Sequence, residues 1–185
     1  MPMPLKVHRW TRADLARLPD DGNRYEVLDG QLLVTPQARP PHQGIGVQLI
    51  LALTPYLTEH RLGVALGPAV VIFGKNELQP DVAVLPIQRS ELPEEWDAVP
   101  RPILVIEVTS MSTKRRDLGI KREAYQKLGI PNYWVVDRFA RRALCWTREA
   151  DEPTIVTDTL VWRPRAEIDP LAIPLGDILA RESDT

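Results

Sequence analysis

Ile103-Leu104-Val105-Ile106-Glu107-Val108-Thr109 is the stretch that decides the fold. A near-continuous apolar run of this length, entered from a charged, Glu- and Pro-rich loop, reads as a strand covered on both faces and the centre of a sheet. Alternation puts Ile103, Val105, Glu107 and Thr109 on one face and Leu104, Ile106 and Val108 on the other. Glu107 therefore falls on a covered face. An unpaired carboxylate there is costly, so it must be protonated, paired or bound to a cation.

The chain that follows repeats the anomaly. Ser110 to Thr113 offer N-cap candidates before a helix of about Lys114 to Leu128, closed by Gly129 and Pro131. At about 100° per residue, Leu118, Ile120, Ala124, Tyr125 and Leu128 cover one arc, and Asp117 and Lys121 fall inside it. One reading is an i,i+4 ion pair that snorkels to the rim. The other sends Lys121 to the nearest strand, which supplies Glu107. Upstream, Asp81 follows Pro80 at the entry to Val82-Ala83-Val84-Leu85, a further strand. A lone Asp there is usually a turn or edge residue. Taken with Glu107 on an adjacent strand and Lys121 above, it makes two carboxylates and one ammonium at a strand-end cleft. Hard oxygen ligands of this kind suit Mg²⁺ or Mn²⁺, with water and substrate phosphate completing the shell. Such a metal generates hydroxide and neutralises phosphate, while the lysine stabilises developing charge or orients the water.

Around this centre the pattern predicts a short helix at Thr11 to Leu18 and a hairpin of Tyr25 to Leu28 and Gln31 to Val34 turning at Asp29-Gly30. A core helix from His42 to about Glu59 follows, on the stripe Ile45, Leu49, Leu53 and Leu57. Strands are expected at Val64 to Leu66, Ala69 to Phe73, Tyr133 to Val136 and Arg142 to Trp146, with Gly74 to Glu77 a polar turn. Thr154 to Trp162 holds two strands, and Pro170 to Ala180 an apolar turn or short helix. The expectation is one domain over residues 1–185, an α/β core of about 24–147 with a mixed central sheet flanked by helices, an N-terminal β-hairpin and a β-rich tail at 150–185.

These residues also carry a resemblance. Pro80-Asp81 followed by Glu107-Val108-Thr109 resembles the PD-(D/E)xK motif of restriction-type nucleases, with Thr109 where the lysine usually stands. The segment EVTSMSTKRRDLGIKREAYQKLGIPNYWVVD, Glu107 to Asp137, closely resembles a bacterial family of restriction-endonuclease-like proteins of the Uma type. RYEVLDGQLLV, Arg24 to Val34, and the His42-Gln43 helix start are similar too, so the likeness spans roughly residues 10 to 147 and fades in the tail. The resemblance implies a restriction-endonuclease-like core whose lysine has migrated from the strand to the helix. It carries over Asp81, Glu107 and the Val108 carbonyl as metal ligands and Lys121 as the catalytic lysine. Met111 stands where the family has a proline, a difference expected to affect only the loop. Thr109 and Asp117 are placed as lining residues. Glu26 and His42 rank below them, since a hairpin glutamate is more often a surface cross-strand residue and His42 more often a helix-start or core histidine.

Composition bounds the partners. The net charge of −2 excludes a uniformly basic nucleic-acid binder. Yet Glu107 to Arg148 holds ten Lys or Arg against four Asp or Glu, while the rest of the chain holds thirteen against twenty-one. Lys114, Arg115 and Arg116 lie in this basic section and are predicted to bind the nucleic-acid backbone. A single cysteine, Cys145, closes no disulfide and builds no Cys-based zinc site, and no segment approaches the apolar length of a membrane span. The expectation is a cytoplasmic protein without a membrane partner. Its predicted function is Mg²⁺-dependent hydrolysis of duplex DNA, with a homodimer plausible because duplex cutters often use two sites. The alternatives are an inactive nucleic-acid- or protein-binding module on a nuclease scaffold, and a buried ion network with no ligand.

Overall fold

The computed structural model describes residues 8–179. Ala180, the end of the predicted terminal apolar segment, lies outside them. A short helix α1 (Arg12–Leu15) is capped by Thr11, whose backbone N–H and hydroxyl both donate to Asp14 at 2.9 and 2.8 Å. Strands β1 (Asn23–Leu28) and β2 (Gln31–Pro36) form the predicted hairpin. Its turn needs two left-handed residues, supplied by Asp29 at φ 49° and Gly30 at φ 82°. Helix α2 (Pro40–Glu59) starts at two prolines, residues that suit a first turn because its N–H groups have no helical acceptor.

Strands β3 (Val64–Leu66), β4 (Val71–Phe73), β5 (Asn76–Leu78) and β6 (Val82–Leu85) follow, then β7 (Leu104–Val108). The segment read as a polar turn at Gly74 to Glu77 is a tight hairpin. Phe73 faces Asn76 across it, and Asn76 and Glu77 join the sheet because β5 also pairs with β1, Val27 opposite Glu77. Local polarity concealed a strand that a long-range pairing creates. After β7 the predicted single helix is interrupted. Helix α3 (Lys114–Arg116) gives way to a π turn at Asp117–Lys121 before helix α4 (Arg122–Leu128), which ends at Gly129 in the left-handed region, φ 78°. The π turn is held against the sheet by the Tyr133 hydroxyl, which donates to the Asp117 carbonyl at 2.9 Å.

Strands β8 (Asn132–Asp137), β9 (Arg142–Thr147), β10 (Thr154–Val156), β11 (Thr159–Trp162) and β12 (Leu171–Pro174) and a terminal helix α5 (Leu175–Leu179) complete the chain. The central sheet has six strands in the order β10-β9-β8-β7-β6-β3 and is mixed, with β7 and β8 parallel and the other pairs antiparallel. A second sheet, β2-β1-β5-β4, contains the hairpin. Alternation along β7 sorts the core as expected. Leu104, Ile106 and Val108 meet Ile45, Leu49 and Leu53 of α2, and the tail adds Leu160, Trp162 and Ile173 on this side. Val105 faces the other way, with Tyr125 of α4 and Leu28, Leu33 and Leu78 of the hairpin sheet. Glu107, two residues after Val105, therefore points between α4 and the hairpin sheet. Among the described residues no helix is long and apolar enough to cross a membrane.

Candidate active site

The strand ladder itself brings the two predicted carboxylates together. Val82 lies opposite Ile106 across the antiparallel β6–β7 pair. One step further along the ladder sets Asp81 opposite Glu107, on the same face. The Asp81 side chain takes over from the ladder at that point, its Oδ2 accepting the Val108 amide at 2.8 Å. Close backbone packing fixes the residue, because any side chain at Gly67 would collide with the Asp81 carbonyl.

Lys121 is 2% exposed, and it reaches Glu107 as the burial argument requires. Its Nζ donates to Glu107 Oε1 at 3.0 Å. It also pairs with Glu26 Oε1 at 2.7 Å, and that oxygen accepts the Gln79 amide at 2.7 Å. Asp117 is 2% exposed on the same side of the π turn, so the lysine does not snorkel to the rim. The Tyr125 hydroxyl donates to Glu107 Oε1 at 3.4 Å. Glu26 and His42, ranked below the others from the sequence, are both buried in the cluster. His42 Nε2 lies 2.6 Å from the Val108 carbonyl and 3.3 Å from Asp81 Oδ2. A carbonyl only accepts, so Nε2 carries a proton. The Val108 carbonyl, predicted as a metal ligand, thus has one of its two lone pairs engaged by His42. Thr109 is buried and its hydroxyl leans on the Val136 carbonyl at 3.5 Å, a strand-end role.

Arg24 was not anticipated. Its Nη1 donates to Asp81 Oδ1 at 3.0 Å, while its buried Nε forms an ion pair with Glu26 Oε2 at 4.0 Å, neither atom having a hydrogen-bond partner among the described residues. Its only sequence signal is alternation with Glu26 on β1, which a solvent-facing hairpin edge would show equally. Of the predicted backbone-binding residues, Arg115 is exposed. Lys114 pairs with Asp137 at 2.7 Å, and Arg116 donates to the Val34 carbonyl at 3.1 Å.

Burial dominates the electrostatics. It drives the Glu107 carboxyl up to about 8, with Lys121 opposing and Asp117, Asp81 and Glu26 adding to the rise. It likewise raises Asp117 to about 6, against the pull of Lys121 and Thr113. At Asp81 burial also pushes upward, but His42, Arg24 and the Val108 amide outweigh it and hold the carboxyl below its ordinary value. Burial would discharge His42, Lys121 and Arg24, yet neighbouring carboxylates raise all three.

Four carboxylates, Glu26, Asp81, Glu107 and Asp117, thus share two permanent cations, Arg24 and Lys121, with His42 as a titratable third. That imbalance suits a divalent cation, which would displace the proton that burial keeps on Glu107. Asp81 and Glu107 are hard oxygen donors on one face and fit Mg²⁺, an ion commonly held by one or two carboxylates and several waters. Among the described residues no three His, Cys, Asp or Glu side chains form a cage of their own. Water and substrate oxygens would complete the shell.

The family model described as "Uma2: Putative restriction endonuclease" matches residues 12–175. The match runs past the resemblance read from the sequence into the tail strands, which pack on the α2 side of the core. No curated protein matches. Among solved structures, one described as a "putative nuclease" from Anabaena variabilis is similar, with TM-score 0.72 and 16% identity over 92% of this chain and 97% of that one. At that identity the likeness shows the fold.

Proposed function

The chain belongs to the Uma2 family, and from that premise we propose that it hydrolyses phosphodiester bonds of duplex DNA with Mg²⁺ or Mn²⁺ at Asp81, Glu107 and Lys121. The observation that carries the reading is the convergence of three side chains from the entry to β6, from β7 and from the π turn, with Lys121 Nζ 3.0 Å from Glu107. Asp81 and Glu107 are the residues that would hold the metal, and the metal, when bound, supplies a Lewis acid and an acidified water.

The chain's own groups have separable tasks. Arg24 and His42 fix the two Asp81 oxygens, leaving the carboxylate ionised and oriented. Glu26 and Glu107 both accept from the Lys121 ammonium and fix it from two sides in a dry setting, where its field on a developing oxyanion is strongest. The solvent side of the cluster is the Arg24–Asp81–His42 edge, the more accessible part of it, so the substrate phosphate approaches there. The test is cleavage of a supercoiled plasmid and of linear duplex in Mg²⁺ or Mn²⁺. Wild type should cut, and Asp81→Asn and Lys121→Met should each abolish cutting while circular dichroism shows a folded protein. Cutting that survives either substitution overturns the assignment.

A second reading is favoured by the same lysine. The residue is 2% exposed and its Nζ is engaged by two carboxyl groups, as in a self-satisfied structural network on a scaffold that binds without cutting. Metal discriminates between them, because only a metal-binding site gains thermal stability from added Mg²⁺ or Mn²⁺ by mass action.

A further inference from the structure

Two loops leave the carboxyl ends of β7 and β8 side by side, and each holds a large apolar side chain in solvent. Met111, in the turn after β7, is 84% exposed, and Phe139, in the β8–β9 turn, is 54% exposed. One exposed apolar residue is ordinary. Two at the same sheet end, joined through one buried carboxylate, are a built feature. Asp137 Oδ1 accepts the Ala140 amide at 3.1 Å inside the Phe139 turn. Asp137 Oδ2 pairs at 2.7 Å with Lys114 Nζ, three residues after Met111. The Met111 and Phe139 turns are thereby fixed to each other.

Their setting is cationic. The Arg138 guanidinium carbon lies 4.3 Å over the Phe139 ring centroid. Arg141, in left-handed backbone at φ 49°, and Arg115 are exposed in the same two segments. No acidic residue occurs from Ser110 to Arg116 or from Arg138 to Arg142. The rim also stands at the site. Val108 is level with Val136 in the parallel β7–β8 register, and Phe139 follows three residues later. Lys121 and Glu107 are 2% and 1% exposed, so a backbone lying across the rim does not touch them.

Resting on the phosphodiesterase reading, we propose that Met111 and Phe139 are a wedge that enters duplex DNA between base steps, while Arg115, Arg138 and Arg141 hold the flanking phosphates. Apolar wedges flanked by arginine unstack a step and kink the duplex, and a kinked backbone can bring its phosphate down to the carboxylates.

The test uses the full chain with Ca²⁺ in place of Mg²⁺, and a short duplex carrying 2-aminopurine, whose fluorescence rises on unstacking. Wild type should bind, by fluorescence anisotropy, and raise the signal. Phe139→Ala and Met111→Ala should each weaken binding about tenfold and suppress the rise, in line with the usual effect of deleting a stacking side chain. Phe139→Trp should restore both, and Val161→Ala, which removes an exposed apolar group from β11, should change neither. A bulged, already unstacked duplex should recover the affinity lost by Phe139→Ala. Wild-type binding without a rise, alanine variants that behave as wild type, or binding of protein partners in place of duplex would overturn the wedge. Should the duplex be bound and unstacked but cut in no metal, the wedge stands and the hydrolytic reading falls.

Discussion

Lys121→Met removes one charge from the buried cluster while keeping most of the side chain's length. The ammonium stands 2.7 Å from Glu26 and 3.0 Å from Glu107, and the residue is 2% exposed. Breaking a buried pair by deleting one partner costs about 3–5 kcal/mol, against about 0–1 for an exposed pair. Two carboxylates lose their cation, but the penalties do not double. Glu107, already at about 8 beside Lys121, is mostly protonated at neutral pH and has little charge to strand. The loss falls on Glu26, whose Oε1 keeps only the Gln79 amide. For a domain of this size each kcal/mol moves the midpoint by about 2–4 °C, so the variant should melt about 6–20 °C lower at pH 7.5. The loss should grow in alkali. Lys121 opposes the rise at Glu107, so without it the folded-state value climbs further above the unfolded one. A group raised on folding contributes stability that is full below its unfolded value, near 4.3, and disappears as pH rises through the folded value. Below about pH 8 the folded carboxyl is protonated in both proteins, so the variant's disadvantage is constant from pH 6 to about 8 and grows towards pH 9, where wild type ionises Glu107 and the variant does not. Urea unfolding followed by circular dichroism at both ends of that range measures it. A loss below about 1 kcal/mol at both would mean that Lys121 reaches water and holds neither carboxylate, which sinks the proposed geometry.

Three further outcomes follow from the same contacts. Without metal, wild-type stability should decline between about pH 5 and 8 and level off as Glu107 ionises through about 8, and Glu107→Gln should flatten that slope; equal slopes would mean the carboxyl is not held protonated. Mg²⁺ at a hundred times its Kd should add about 2.7 kcal/mol to the unfolding free energy, read by scanning calorimetry, and Asp81→Asn should remove the gain. Gly67→Ala forces a methyl group against the Asp81 carbonyl and should cost about 1–3 kcal/mol in urea while impairing cleavage; a neutral result would mean that the loop is free to move away.

What the sequence disclosed depended on which residues violated a pattern. Glu107 and Lys121 were legible because each is a charge on a surface that periodicity marks as covered, and two stranded charges one layer apart imply each other. Arg24 and Glu26 broke no pattern. A charged pair at alternate positions of a hairpin strand is what a solvated edge shows, and it is the pairing with β5, partly hidden inside a supposed polar turn, that covers the strand, while Gln79 just after β5 supplies its amide to Glu26. The π turn left no composition signal either. His42 is the intermediate case. It lies on the stripe of Ile45, Leu49 and Leu53, and reading it as the first member of that stripe would have buried it. Its partners, Asp81 and the Val108 carbonyl, come from 39 and 66 residues away, a juxtaposition no local spacing encodes. The resulting cluster is more evenly balanced than a bare acidic site, with Arg24 and His42 on Asp81 and Lys121 between two glutamates. A cation arriving there competes with groups already in place. Affinity for Mg²⁺ should accordingly rise when substrate phosphate draws Arg24 away from Asp81, since the freed carboxylate is then available to the metal, and by linkage metal should tighten substrate by the same factor.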